Sequence, residues 1–426
     1  MISALKREIE TKINRDIVGR GDCEYLSRLI LEESGQFLSY NTLKRLFKID
    51  VNSKVKPRNS TLNVLSNFLG FKSYEEFKKD KTWRTEWFLQ LKTSAIIDRL
   101  DNDEIIAELS SPWILKKDFL ISIVSLVREL FYLSKFDLVI HIFERKVINF
   151  EELTYSEKLF LGNAIGTIFR KIDVPEVVLV RMLNNRDFVD QIFLTFVDYS
   201  SLNGYYGKVT DLSINESFNL SKDQQDFFTS LAILKDYLYT KKVKSIKYLD
   251  NDKSSFHPIL VGRMASVEII YRVQEKLEYK DLLADISLRI KNTKKKTDYL
   301  YELTTVSLVM GDFGLMEWIL EESQTINIEE SYQFGHLQYL HLVSFILSIH
   351  RNKNSDIEKF KNRINKNEIS LSYFHFFEFF RLIGMYHIQQ VDKPKNLNLI
   401  RRLIDQFDYP LFNDNFLFEY FSNSEK

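Results

Sequence analysis

The sequence has little of three residue types that often define a class of protein. Its 426 residues include one cysteine, Cys23, which excludes an internal disulfide framework and any site that needs several cysteine ligands. Glycine (13) and proline (6) are also scarce, so few turns with positive φ and few interrupted helices are expected. The single cysteine favours a reducing compartment, and we expect a cytoplasmic protein.

A net charge and a long apolar run are missing as well. The chain has 59 Lys and Arg against 59 Asp and Glu, so as a whole it is not a general binder of polyanions. The longest apolar stretch, Phe119–Val127, contains two serines and is too short to span a bilayer. The first ten residues lack the apolar core of a signal peptide. We therefore expect no membrane partner.

Apolar residues, in contrast, are abundant and regularly spaced. They make up 45% of the chain, and 14% of all residues are aromatic. Through most of the sequence they recur at the spacing of an amphipathic helix, as Phe119, Ile123 and Val127 do. Long runs with strict two-residue alternation are rare. The pattern predicts an all-α protein.

A short turn followed by an aromatic residue recurs through residues 83–426. Ser134 and Lys135, for example, separate two apolar stretches, and Phe136 opens the second. Such turns are marked, at intervals of 34 to 41 residues, by positions 101, 135, 171, 207, 241, 278, 312, 352 and 393. The mark at 207 is the triplet Tyr206-Gly207-Lys208.

Helical units of this length resemble tetratricopeptide repeats. The resemblance implies an α-solenoid of eight or nine helical hairpins, because a single amphipathic hairpin cannot bury its apolar face alone. The groove of such a solenoid would hold a peptide or protein partner. The alternative is an irregular helical bundle in which the spacing is accidental.

Residues 1–80 form a second, more basic part of the chain. They contain 15 Lys and Arg against 11 Asp and Glu, a net charge of +4. The pattern predicts a first helix over 3–18, a second over 23–33, a turn at Gly35 and a third helix over Ser39–Lys48. Ser39 and Ser60 are the predicted N-caps of the third and fourth helices.

The segment from residue 22 to residue 78 resembles a lambda-repressor/Cro-like helix-turn-helix domain. The resemblance rests on Ser39, Thr42-Leu43 and Arg45-Leu46, followed by Pro57, Ser60-Thr61-Leu62, Leu65 and Phe68-Leu69-Gly70. It implies that Ser39–Lys48 is the recognition helix. The residues that would then contact DNA are Tyr40, Asn41, Lys44 and Arg45 in the major groove, and Lys54, Lys56 and Arg58 at phosphates.

Two alternatives stay open for this module. The turn at Gly35 comes later than in that family, which implies either a longer second helix or a different angle between the two helices. The module could also serve protein contact or structure, with Lys44 and Arg45 on an ordinary solvated helix face.

The sequence contains no recognisable pattern of catalytic or metal-binding residues. His336 and His341 are five residues apart, unlike the four-residue spacing of a zinc-binding pair on a helix. The stretch Gly204–Gly207 is not a phosphate loop, because no Gly-Lys-Ser or Gly-Lys-Thr sequence follows and no strand is predicted before it. We therefore expect a protein that is not an enzyme and that needs no metal and no cofactor.

The two parts together are similar in architecture to peptide-sensing transcriptional regulators, which join a lambda-repressor-like domain to tetratricopeptide repeats. The resemblance implies a non-enzymatic regulator that binds double-stranded DNA and a peptide or protein, and it allows a homodimer. Groove asparagines hold the peptide backbone in that family, and the asparagines nearest the array here are Asn163, Asn184, Asn185 and Asn203. The competing interpretation is a scaffold or adaptor without DNA binding, in which residues 1–80 act as a cap or docking element.

Overall fold

The computed structural model of the chain shows a helical protein. It describes residues 1–47, 49, 57–81, 93–95, 97, 104, 116–215, 218, 220–243, 257–291, 296–324, 334–369, 371–388 and 392–422. All regular secondary structure in these residues is helical, which confirms the predicted all-α class. The chain divides into two compact units, Met1–Asp101 and Asn102–Lys426. The predicted boundary at 80–83 falls beside residues outside the described part and stays a prediction.

The first unit packs its helices around one apolar core. Its helices are α1 (Ile2–Ile13), α2 (Arg20–Ser34), α3 (Tyr40–Phe47) and α4 (Asn59–Phe68), and residues 74–81 are also helical. Each contributes buried side chains to this core, among them Leu5, Cys23, Leu43, Leu65 and Phe77. Cys23 is completely buried, as an ordinary structural thiol would be.

Helices α1 and α2 differ in length from the prediction. Helix α1 ends at Ile13 rather than at residue 18, because Asn14 takes a left-handed conformation with φ 49°. Helix α2 continues to Ser34, where Gly35 ends it with φ 66° and donates its N–H to the carbonyl of Leu31 at 3.0 Å. The turn at Gly35 therefore follows directly on the end of α2.

The two predicted N-caps have different outcomes. Ser39 caps α3 as predicted, because its Oγ accepts the N–H of Thr42 at 3.3 Å. Ser60 is not an N-cap, and that prediction is wrong. The chain leaves an extended Arg58 (φ −74°, ψ 150°) and is helical from Asn59, which places Ser60 in the first turn of α4.

The second unit contains the remaining described α-helices of six or more residues. They are α5 (Lys116–Tyr132), α6 (Phe136–Glu144), α7 (Tyr155–Gly166), α8 (Glu176–Leu183), α9 (Tyr205–Asn215), α10 (Lys222–Thr240), α11 (Pro258–Gln274), α12 (Lys280–Lys291), α13 (Lys296–Met310), α14 (Phe313–Ser323), α15 (Phe334–His350), α16 (Asn354–Arg363), α17 (Leu371–Ile388), α18 (Lys393–Phe407) and α19 (Asp414–Glu419). No helix in the described stretches has the length and apolar character needed to cross a membrane.

Several of the predicted turns lie where the sequence marks them. Left-handed residues close four of them: Ser134 (φ 56°), Lys241 (φ 57°), Gly311 (φ 64°) and Asn352 (φ 53°). After Gly311, the Oδ1 of Asp312 accepts the N–H of Leu315 at 2.9 Å and begins α14. The mark at residue 101 lies outside the described residues.

The turn predicted at Tyr206-Gly207-Lys208 is wrong. These residues lie in the first turn of α9, and the turn precedes them at residues 202–204. A Cβ on Gly207 would collide with the backbone carbonyl of Leu202. Glycine is required here because two backbone segments approach closely, not because the chain turns. Upstream, a π-helix at Val189–Phe193 also interrupts the regular pattern.

Helices α11 to α18 pack in a regular order. Helices α11, α13, α15 and α17 each contact the next member of this series, and each also packs against the helix that follows it in the chain. Stacked helical hairpins would produce this order of contacts. The complete array of eight or nine hairpins stays a prediction.

The interior of the second unit contains a buried ion pair. The Nη2 of Arg263 in α11 donates to Glu302 in α13 at 2.5 Å and to the hydroxyl of Tyr199 at 3.1 Å. The Tyr199 hydroxyl in turn donates to Glu302. All three side chains are at most 2% exposed. The guanidinium also lies 4.3 Å from the ring centre of Phe227.

Candidate nucleic-acid interface

Helix α3 has one buried face and one exposed face. Leu43 and Leu46 are buried in the core of the first unit, three residues apart on one side of the helix. Asn41 and Arg45, four residues apart, are exposed on the other side. The same amphipathic pattern that attaches α3 to the core therefore presents polar side chains outward.

A groove lies between α3 and the beginning of α4. It has a volume of about 390 Å³ and is lined by Thr42, Arg45, Leu46, Pro57, Arg58, Ser60 and Thr61. Two of these residues are arginines, three carry hydroxyl groups, and none is acidic. Both arginines are exposed, and neither has an ion pair with any residue that the structure describes. The groove is consequently polar and positively charged.

The N-terminus of α4 adds to this positive character. Arg58 occupies the cap position, and because a guanidinium has no acceptor atom, its side chain does not cap the first-turn amides. The first N–H groups of a helix have no partner within the helix and carry the positive end of its dipole. Ser60 and Thr61 of that turn line the same groove as the two arginines.

The structure brings together only some of the predicted DNA-contacting residues. Arg45 and Arg58 share the groove, whereas Asn41 and Lys44 do not line it. Tyr40 is half-buried, and its ring lies 4.9 Å from the guanidinium of Arg20 at the beginning of α2. The predicted phosphate contacts Lys54 and Lys56 lie outside the described residues, as does Lys48 at the predicted end of the recognition helix.

Sequence reasoning missed the hydroxyl groups of the groove. Thr42 was overlooked because its neighbour Ser39 accounts for the cap, yet the two hydroxyl oxygens lie 3.0 Å apart at the groove's edge. Ser60 was interpreted as a cap and as part of the helix-turn-helix resemblance, and not as a contact residue. The signal that could have identified the site is the sequence Pro57-Arg58 immediately before a helix that has two hydroxyl residues, Ser60 and Thr61, in its first turn.

In the second unit, each of the four asparagines suggested by the resemblance bonds to the protein's own backbone. Asn163 and Asn184 donate to carbonyls one turn back in their helices, at 2.9 and 3.1 Å. Asn185 accepts the N–H of Phe188 at 2.9 Å, and Asn203 donates to the carbonyl of Phe407. These contacts give each asparagine a structural role.

Among the described residues of the second unit, two cavities could accept a ligand. One, of about 360 Å³, lies beside the π-helix and includes Asp190, Asp223, His257 and Phe227 in its wall. The other, of about 440 Å³, lies between α14, α15 and α16. Within the described residues, no three His, Cys, Asp or Glu side chains are arranged to hold a metal ion.

Comparisons of this chain with protein-family models, with curated proteins and with solved structures find no match.

Proposed function

We propose that this chain is a non-enzymatic regulator that contacts double-stranded DNA through its first unit and binds a peptide or protein through its second. The observation that carries the first part is the groove between α3 and α4, where Arg45 and Arg58, which have no ion pair among the described residues, lie beside the beginning of α4. Guanidinium groups and free backbone amides both bind phosphate oxygens.

We assign separate roles to the residues of this surface. Arg58 and the first turn of α4 would hold a backbone phosphate, which fixes orientation without reading sequence. Exposed Asn41 and Arg45 on α3 are of the types that pair with adenine and guanine edges in a major groove. The longer α2 would change how α3 approaches the duplex, and not the chemistry that α3 offers.

Support for the second part comes from the packing of α11 to α18. Successive hairpins that resemble tetratricopeptide repeats would form an extended surface of the kind that accommodates a peptide or a partner protein. The two cavities of this unit are compatible with such a role, since both lie within the size range of about 300–1,000 Å³ typical of ligand sites.

The DNA proposal is tested with the full chain and a fluorescent duplex of random sequence. We expect salt-dependent binding, and an Arg45→Ala/Arg58→Ala variant should reduce the slope of log K against log salt by about 0.9 for each phosphate that the variant no longer neutralises. The matched control is Arg7→Ala/Arg28→Ala, which removes the same charge from exposed positions on α1 and α2. Equal weakening by both variants, or no binding of duplex at low salt, would contradict a role for the groove.

A second candidate function is a scaffold or adaptor in which the first unit docks on a protein. The observation that favours it is Phe37, which is 68% exposed in the turn immediately before α3. An exposed aromatic side chain is a common anchor in protein interfaces. A Phe37→Ser variant that retains DNA binding but loses a co-purifying protein would favour this candidate.

A further inference from the structure

Residues 413–422, the C-terminal segment, lie on the surface of the second unit with one apolar side turned inward. The segment contains α19, which begins after Asn413, whose side chain accepts the N–H of Phe416 at 3.0 Å. Its inward side chains recur at helical spacing and are Phe416, Leu417, Tyr420 and Phe421. Leu417 is completely buried, whereas Phe418 on the outer side is 45% exposed. The segment is therefore an amphipathic helical ligand attached to its own binding surface.

The surface beneath the segment is aromatic and belongs to two separate helix pairs. The ring centre of Phe416 lies 6.3 Å from that of Phe379 and 6.5 Å from that of Phe380, both in α17. The ring of Tyr420 lies 6.0 Å from Phe380 and 6.3 Å from Phe313, the first residue of α14. The segment thus crosses from α17 to the turn between α13 and α14. A peptide bound across a helical-repeat surface makes contacts of this kind.

Few polar contacts hold the segment in place. The Tyr420 hydroxyl donates to the carbonyl of Leu308 at 2.8 Å, and Nε2 of His387 lies 3.1 Å from the carbonyl of Leu417. Among the described residues, these two contacts and one exposed ion pair are its polar connections to the rest of the unit. Just before the segment, Leu411 donates its N–H to the end of α10 at 3.1 Å and fixes the chain. Because a six-residue helix is not stable alone and lies at the end of the chain, it can open locally while the preceding structure stays folded.

Opening of the segment would uncover a continuous aromatic surface. Phe379 and Phe380 are completely buried, and Phe313 is 8% exposed. A surface of this kind needs a cover in water. Arg401 pairs with Asp414 at 2.8 Å, and both side chains are about half exposed. The surface therefore fits a helix with aromatic residues four positions apart and an acidic residue two positions before the first of them.

We propose that the surface formed by α17 and the turn between α13 and α14 binds an amphipathic helix of a partner protein with this pattern. The C-terminal segment occupies the surface until the partner helix displaces it, so the segment regulates access as an internal competitor. The inference rests on the proposed function of the second unit as a binding body. It adds the binding surface, the chemistry of the partner and the competition that controls binding.

The test uses the full chain and a fluorescein-labelled peptide with the sequence of residues 413–426, followed by fluorescence anisotropy. In the wild type the attached segment competes, so the apparent affinity is reduced to the fraction of molecules whose surface is open. A Phe416→Ala/Tyr420→Ala variant loosens the attached segment and leaves the surface intact. It should bind the peptide at least about 10-fold more tightly than the wild type. The matched control is Phe418→Ala, which removes an exposed ring and should bind like the wild type.

Two further measurements locate the surface. Phe313→Leu, added to the loosened variant, should weaken peptide binding by at least about 10-fold, because it removes a ring that contacts the segment. The same change at Phe360 in α16, which has no ring contact with the segment, is the control. Far-UV circular dichroism establishes that each variant is folded. In hydrogen exchange of the wild type, the amides of residues 417–420 should exchange at least about 100-fold faster than those in the middle of α15.

The outcomes separate this inference from the alternatives. A loosened variant that binds the peptide no more tightly than the wild type, or exchange of the segment as slow as that of α15, would show a permanent cap and overturn the inference. A wild-type dimer that the loosened variant cannot form would identify a second copy as the occupant and overturn it as well. A co-purifying protein that binds the Phe313→Leu variant and the wild type equally would contradict this surface but leave the proposal of a binding body standing. The DNA experiment depends on Arg45 and Arg58 and is independent of all these results.

Discussion

The buried ion pair between Arg263 and Glu302 leads to a quantitative prediction about stability. Replacing Glu302 with Gln removes the negative charge and leaves the guanidinium in an environment that is 1% exposed. Burial by itself lowers the pKa of Arg263. The Glu302 carboxylate and nearby groups raise this pKa by a larger amount, so the net shift is upward and Arg263 is charged in the folded protein. An arginine also cannot neutralise itself at ordinary pH. The variant therefore contains an uncompensated buried charge.

The expected cost is about 3–5 kcal/mol in the free energy of unfolding, the usual result of breaking a buried pair from one side. Two further nitrogens of Arg263, Nε and Nη1, already have no acceptor among the described residues, so no alternative partner is at hand. The control is Glu317→Gln. Glu317 pairs with Arg351 at the same 2.5 Å, but the two side chains are 43% and 44% exposed. Loss of that exposed pair should cost about 0–1 kcal/mol.

Urea denaturation followed by far-UV circular dichroism measures both variants, with ΔΔG taken from the shift in midpoint at unchanged slope. A triple variant, Arg263→Met/Glu302→Leu/Tyr199→Phe, should recover most of the stability, because no polar group of this network is left unpaired. If Glu302→Gln lies within about 1 kcal/mol of Glu317→Gln, burial does not determine the strength of this pair and the reasoning is wrong.

Three further predictions follow from the described residues. Gly207→Ala should lower the melting temperature of the second unit far more than Gly204→Ala, because only the first adds a Cβ that collides with the carbonyl of Leu202. Burial lowers the pKa of His336 from 6.5 to about 3, so the unfolded chain binds a proton there that the folded chain does not. Stability should therefore fall as pH decreases from 6.5 toward 3, and a His336→Phe variant should show a shallower decline in urea midpoint. Ser39→Ala should cost the first unit about 1 kcal/mol in thermal or urea unfolding, because it removes the cap of α3, whereas Ser39→Asp should retain the stability.

Local sequence features predicted much of the helical framework. The three- and four-residue spacing of apolar side chains specifies a helix wherever it occurs, and the predicted turns near 135, 241, 312 and 352 were confirmed because left-handed or capping residues act on their immediate neighbours. The cap at Ser39 is local in the same way. The wrong assignments, Ser60 as a cap and Gly207 as a turn, came from residue types that serve more than one purpose.

The sequence by itself determined that the chain is helical, that it has a basic first part and that its apolar residues follow a helical period, since these properties depend on neighbours along the chain. Only the tertiary structure decided which distant side chains meet. Arg45 and Arg58 share a groove because α3 and α4 pack on one core, and Arg363 and His341 line one cavity because α16 folds back on α15. The pairing of Arg263 with Glu302 likewise required α11 and α13 to pack together. Such contacts depend on how helices pack in space, which a local pattern does not specify.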